Sequence, residues 1–185
     1  TTSANGGIVL KTGDDIASVS DPLLLQTDKL AAQSTAGDVY IKETATKPLT
    51  ISNIALEHGG GFVAGVIGDD TVALQTTGDL AVGTGASVST TDTSTSSIVS
   101  LDVSGNLTDS NAANQAAVST AGTVVVNAAS VTGAGGTGAF EIAANTLAAQ
   151  ATNNITVKDV DNSKGLTIGQ ADLVVLVGSN IRHEL

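Results

Sequence analysis

The chain contains no cysteine, no tryptophan and no methionine, and it holds only two Phe and one Tyr. Without cysteine, neither disulfides nor thiolate chemistry can operate. Without large aromatics, the interior must be filled by Val, Ile, Leu and Ala, which suit thin, layered cores better than one large globular core. Basic residues are scarce too: seven Lys and Arg stand against 18 Asp and Glu, a net charge of −11. They are scattered singly, so there is no basic stripe for nucleic acid. Anionic membranes and acidic polysaccharides are repelled at long range. No apolar run approaches the ~20 residues of a membrane-spanning helix. The longest, Leu173-Val174-Val175-Leu176-Val177, has the length of a strand. The chain opens Thr1-Thr2-Ser3, with no initiator Met and no basic-then-apolar signal segment, so it is expected to be processed or excised from something larger.

What the chain does have is self-similarity. Leu30-Ala31-Ala32-Gln33 returns as Leu147-Ala148-Ala149-Gln150, 117 positions later. Around this word, Ile8-Val9-Leu10 falls on Val124-Val125-Val126, and Leu23 and Leu25 fall on Phe140 and Ile142. After a one-residue slip, Val39-Tyr40-Ile41-Lys42-Glu43 falls on Ile155-Thr156-Val157-Lys158-Asp159, and Leu49-Thr50-Ile51 on Leu166-Thr167-Ile168. Residues 6–54 and 121–170 therefore read as two copies of one structural unit within a single segment, 1–185, with a more divergent middle, 55–120. Apolar spacing is kept while the polar residues change, which is how a repeated packing solution looks.

The local grammar is Gly or Asn, a polar residue, then a short alternation of period two. Examples are Gly37-Asp38-Val39-Tyr40-Ile41, Gly78-Asp79-Leu80-Ala81-Val82 and Gly122-Thr123-Val124-Val125-Val126. Alternation at period two predicts short half-buried strands, and the preceding Gly is expected to supply a positive φ at each corner. Val124, Val126, Ala128 and Val131 also align with Phe140, Ile142, Ala144 and Leu147 at an offset of 16, as stacked positions of successive coils would. The predicted fold is all-β, a β-solenoid of the parallel β-helix type. With ~20 residues per coil, it would make about nine coils and a rod roughly 40 Å long. An antiparallel β-sandwich is the competing fold, disfavoured by the very short strands and the lack of aromatics. Asp21–Leu25, Asn111–Val118 and Ala143–Ala151 have some helical character, but the repeat pairing favours strands in the first and the last. Ser87–Ser97, nearly all Ser, Thr and Asp, is expected to be a surface loop or polar corner, with a flexible linker as the alternative. Gly59-Gly60-Gly61 reads as a bend or loop and Val72-Ala73-Leu74 as a strand.

The predicted inward positions are Ile8, Leu10, Leu23, Leu25, Leu30, Val39, Ile41, Leu49, Ile51, Val124, Val126, Phe140, Ile142, Leu147, Ile155, Val157, Leu166 and Ile168.

Candidate chemistry is sparse. The two histidines, His58 and His183, lie far apart in sequence, and no Gly-x-Ser-x-Gly word exists. Asp14-Asp15, Asp69-Asp70 and the pair Asp159 and Asp161 are candidate carboxylates for polysaccharide chemistry, but the chain is poor in aromatic sugar platforms. Asp at a solenoid corner more simply bonds its own backbone. Asp159, Asp161 and Ser163 alternate like the start of a calcium loop. In an EF-hand that loop has Gly at its sixth position and Glu at its twelfth, where this chain has Lys164 and Gln170. A weakly bound calcium is the one cofactor these residues suggest. Alternating Thr91, Thr93 and Thr95, and Thr44 and Thr46, do not recur on every coil as an ice-binding face requires. Arg182-His183-Glu184-Leu185 has the form of a retention tetrapeptide and is read as coincidence or as the end of an excised segment.

The words Asn5-Gly6-Gly7-Ile8-Val9-Leu10, Gly37-Asp38-Val39-Tyr40-Ile41-Lys42-Glu43, Gly105-Asn106-Leu107-Thr108-Asp109 and Gly165-Leu166-Thr167-Ile168-Gly169, with the repeated words above, cover about two-thirds of the chain. In them the sequence resembles the repetitive β-helical regions of filamentous-haemagglutinin-like large bacterial surface adhesins. The resemblance implies a right-handed parallel β-helix, an extracellular or cell-surface location, and a role in adhesion, biofilm or the cell envelope. The expectation is a structural or adhesive rod segment, not an enzyme. Its partners would be a host or neighbouring cell surface, or copies of itself, with no nucleic acid and no membrane insertion. The rival expectations are a self-assembling filament or surface-layer subunit, and a polysaccharide-processing or phage-fibre module on the same fold.

Overall fold

A computed structural model of the chain describes residues 6–56, 61–133, 138–161, 163, 165–174 and 176. Gly59, Gly60, His58, Asn162, Lys164, Val175, Val177 and the terminal Arg182-His183-Glu184-Leu185 lie outside the described residues. Among the described residues the chain forms strands and no helix. In order these are β1 (Gly7–Thr12), β2 (Leu23–Leu25), β3 (Lys29–Ser34), β4 (Val39–Glu43), β5 (Leu49–Ile51) and β6 (Asn53–Ala55). Then come β7 (Phe62–Gly68), β8 (Thr71–Thr76), β9 (Leu80–Val82), β10 (Ser87–Thr90), β11 (Ile98–Val103), β12 (Asn106–Asp109) and β13 (Val118–Ser119). The last are β14 (Thr123–Ala128), β15 (Ser130–Gly133), β16 (Phe140–Ala143), β17 (Thr146–Ala151), β18 (Val157–Asp159) and β19 (Thr167–Ile168).

Apart from β6 with β7, every strand pairing is parallel. The seven-stranded sheet runs β19-β17-β14-β11-β8-β4-β2. The 12-stranded sheet is two columns, β15-β12-β9-β5 and β7-β10-β13-β16-β18, joined through β3. Leu30 of β3 pairs with Ile51 in one column, while Ala32 and Gln33 pair with Val66 and Ile67 in the other. From β4 onward the chain visits the seven-stranded sheet, then the first column, then the second, and returns. That cycle is the connectivity of a solenoid, and it excludes the antiparallel sandwich, whose neighbouring strands run in opposite directions.

The ladder dictates the core. Val39, Val72, Val99, Val124 and Leu147 stack in one inward file, with Ile41, Leu74, Leu101 and Val126 beside it. Leu49, Leu80, Leu107 and Val131 stack in another. All are buried in one cluster that runs from Ile8 to Leu147. Of the positions predicted to face inward, Leu10, Leu23, Val157 and Leu166 are partly buried against this cluster. Two predictions fail: Ile155 is 44% exposed and Ile168 is 73% exposed. Both lie on the last rungs. β19 is the terminal strand of its sheet, so its side chains meet a neighbour on one side.

The repeat words are not stacked copies. Leu30-Ala31-Ala32-Gln33 forms β3 of the larger sheet, whereas Leu147-Ala148-Ala149-Gln150 forms β17 of the smaller. Likewise Val124 stacks between Val99 and Leu147, not on Phe140 as the 16-residue offset implied. Every face makes the same demand, alternation followed by a corner, so similar words serve different faces. True rungs in the file Val39, Val72, Val99, Val124, Leu147 are 33, 27, 25 and 23 residues apart, longer than the assumed coil. The surplus is placed at corners: the β6–β7 excursion, residues 91–97 and residues 110–117. The expected loop over Ser87–Ser97 is shorter than predicted, because Ser87–Thr90 is β10 and its Val88 is fully buried between Val66 and Val118. One apolar residue in a polar run is enough when the ladder holds its backbone.

The corner glycines work differently from the expectation. Gly37, Gly78, Gly105 and Gly122 do not have positive φ. A Cβ at these positions would collide with the backbone of Asp15, Lys47, Asp79 and Ser97 on the preceding rung. Their role is close approach of stacked corners. Gly65 combines both reasons: its φ is +103°, and a Cβ would strike the Ser87 backbone. It marks the point where β7 leaves its antiparallel partner β6 and joins the parallel ladder at β10.

Replacing Gly65 by Ala is therefore expected to cost about 2 kcal/mol or more. Ile142→Asp, which puts a charge into the stack, is expected to cost about 4 kcal/mol or more. Urea denaturation checks both, and an unchanged midpoint for Ile142→Asp would contradict its inward assignment.

Candidate functional site

Corner carboxylates are the most chemically active groups the fold presents. At the C-terminal rungs, Asp159 Oδ1 accepts the Asp161 N–H at 3.0 Å, and Asp161 Oδ1 accepts both the N–H and the hydroxyl of Ser163 at 2.9 and 2.6 Å. The candidate calcium ligands are thus arranged as successive side-chain-to-backbone turns. Among the described residues no three His, Asp or Glu side chains converge in a metal-ligating group.

Asp14-Asp15 and Asp69-Asp70, separate in the sequence, come to one edge of the molecule, joined by Asp38 and Asp92. Asp15 Oδ1 accepts the Asp38 N–H at 2.8 Å. Asp38 Oδ1 accepts the Thr71 N–H at 2.8 Å, and its Oδ2 accepts the Tyr40 hydroxyl at 3.0 Å. Asp69 Oδ1 accepts the Thr91 hydroxyl at 3.0 Å, which employs one member of the Thr alternation. Asp15, Asp38 and Asp69 each reach one rung onward to satisfy a backbone or hydroxyl donor. The crowding shows in the titration. The Asp70 carboxyl is pushed above its ordinary value by desolvation and by negative Asp38 and Asp92 beside it. The Tyr40 hydroxyl is pushed up to about 12 by burial and by its bond to Asp38.

Similar ladders recur elsewhere. Asp79 Oδ1 accepts the Asn106 N–H at 2.7 Å, and Asn106 Oδ1 accepts the Ser130 hydroxyl at 2.7 Å. On the outside of the smaller sheet, Gln75 Nε2 and Asn127 Nδ2 each donate to Asp102 at 2.9 Å. Sequence reading missed Asp38, Asp79 and Asn106 as a set. The signal was present in the recurring Gly-polar pair before each strand, where the polar side chain takes the donor of the next coil.

A third group is buried. Glu43 is 1% exposed and accepts the N–H groups of Thr27 and Ala45 at 3.1 and 2.7 Å. Asp109 accepts the N–H groups of Asn111 and Glu141 at 2.8 and 3.2 Å. Glu141 in turn accepts the Gln115 N–H at 2.9 Å and pairs with Lys158 at 3.2 Å. Burial raises the carboxyls of both Glu43 and Asp109 above their ordinary value, against the lowering effect of those N–H donors.

No family model, curated protein or solved structure matches this chain. Among the described residues no helix is long and apolar enough to cross a membrane.

The buried acids give a pH signature. Because Glu43 and Asp109 have raised pKa values in the fold, the folded chain binds protons more tightly than the unfolded chain. The stabilisation from protonation is absent well above the folded pKa, grows as pH falls through it, and levels off below the unfolded value. Relief of self-repulsion at a net charge of −11 acts in the same direction. The melting temperature is expected to rise as pH falls from neutrality towards the ordinary carboxylate range, including in high salt, where surface repulsion is screened. A fall over that interval in calorimetry would contradict the assignment.

Proposed function

We propose that the chain is a stiff β-solenoid segment of an extracellular bacterial surface or secreted protein, acting as a rod that presents loops or a distal tip for attachment. The observation that carries this reading is the parallel ladder, which joins stacked strands from β2 to β19 in one sheet over a continuous apolar core. In such an array each rung is held by its neighbours, so the chain gains length without needing a large globular interior. The polar corner ladders support the same reading, since their carboxylates are engaged in holding one rung to the next. The winding is proposed to be right-handed, as parallel crossover connections are in ~98% of cases. The coil count in this reading follows the seven strands of the smaller sheet, a rod roughly 30 Å long.

A second reading, end-to-end assembly of copies, is favoured by one feature. Ile155 and Ile168 are exposed on the last rungs, and Val19 and Leu24 are 42% and 48% exposed near the first. Strand edges with apolar side chains beside them favour further pairing.

The rod reading is tested in the source cell. Antibodies raised against this segment should label intact, unpermeabilised cells, and in-frame deletion of the segment should reduce attachment several-fold. Labelling confined to permeabilised cells would contradict it.

A further inference from the structure

Leu173 and Val174, from the most apolar run in the sequence, lie on the outside of a sheet instead of in the stacked core. Just past β19, the Gly169 N–H donates to the Leu147 carbonyl at 3.0 Å. Five residues later the Val174 N–H donates to Ser100 Oγ at 3.0 Å. Leu147 lies on β17 and Ser100 on β11, with β14 between them. Residues 170–174 therefore run across the strands as a strap, back towards the start of the chain.

Beneath the strap is a file of small outward-facing residues. Ala73, Ser100, Val125 and Ala148 are in register on successive strands. They alternate with the inward residues, yet they are only 1%, 1%, 3% and 7% exposed. Small side chains make a shallow trough, and the strap brings Leu176 to 3% exposure against the fold.

The strap is loosely fastened. Among its described residues, one hydrogen bond reaches the sheet, and that bond goes to a side chain, not to the ladder. An open groove of about 660 Å³ runs alongside the strap, lined by Asn127, Ala149 and Gln150 on the sheet and by Gln170, Asp172 and Leu173 on the strap. Along that groove Gln170, Ala171 and Asp172 are exposed to solvent, so this part of the strap gains little dispersion contact.

We propose that the strap is exchangeable between two copies of this chain, residues 170–174 of one seating on the Ser100–Val125–Ala148 file of the other. The exchanged pair keeps the contacts each strap makes at home, so the cost is that of association alone. A short tether holds the strap at an effective concentration on the order of millimolar. Exchange is therefore slight in dilute solution and becomes competitive as the protein approaches that density. This proposal stands apart from the rod reading, because it needs only the trough and the strap.

The chain lacks cysteine, so Ser100→Cys and Val174→Cys introduce unique thiols. The double variant, and a mixture of the two single variants, would be oxidised at protein concentrations from about 10 µM to about 1 mM. The double variant is expected to close within one chain at low concentration. The mixture is expected to give a covalent heterodimer whose yield rises about tenfold or more across the range, relative to Ser100→Cys mixed with the exposed Thr95→Cys. End-to-end stacking would raise test and control pairs alike. A heterodimer no more abundant than the control would overturn the proposal, and so would a double variant that fails to close at any concentration. Ala148→Cys with Leu173→Cys, joined by a flexible bis-maleimide instead of a direct disulfide, provides a second pair if Ser100→Cys does not fold.

Discussion

The structure depends on the parallel backbone ladder. When strands of successive rungs pair in parallel register, each inward residue lies directly against the one a rung above and the one a rung below. The file Val72, Val99 and Val124 is the direct consequence. A large ring in such a file needs room on both sides, which accounts for a core built from Val, Leu, Ile and Ala with a single buried Phe140. The same constraint decides where the chain can vary. A strand cannot gain a residue without turning its side chains to the other face, so the surplus residues of the longer rungs all lie at corners.

Corners carry the cost of this arrangement. Where a coil turns, backbone N–H groups leave the ladder and must find other acceptors. Asp15, Asp38, Asp79, Asp109 and Glu43 supply them, each with a carboxylate directed at a donor of a neighbouring segment. Thr120 does the same as a buried hydroxyl, accepting the Gly122 N–H and bonding Ser97 at 2.7 Å. The strong acidity of the chain is in this sense partly structural. The corner glycines complete the device, since their missing Cβ lets one corner lie against the next.

Alternation made most strands legible. Val39 and Ile41, Val124 and Val126, and Leu49 and Ile51 declare their inward faces in the sequence, and all are buried. Alternation carries no information about which face of the solenoid a strand joins, and for that reason the matching words around Leu30 and Leu147 lie in different sheets. It also cannot distinguish an inner rung from a terminal one. Ile155 and Ile168 have the right spacing but lack a rung beyond them to pack against among the described residues. Val88 was hidden because its neighbours are Ser and Thr, and its burial comes from the strands above and below. The carboxylate ladders were half legible: paired Asp residues were visible as turn formers, whereas their contacts with Asp38 and Thr71 depend on coil lengths that vary from rung to rung.

The strap shows the same economy on the outside of the molecule. A segment around Leu173 and Val174 that has no place in the stack covers a file of small residues that would otherwise face water. The central claim beneath all of this is the parallel register, and methyl-labelled NMR addresses it directly. Cross-peaks linking Val99 to both Val72 and Val124, and Leu101 to both Leu74 and Val126, are the expected result. Short Hα–Hα contacts between these strands, the mark of antiparallel partners, would contradict the stacked architecture and the reading built on it.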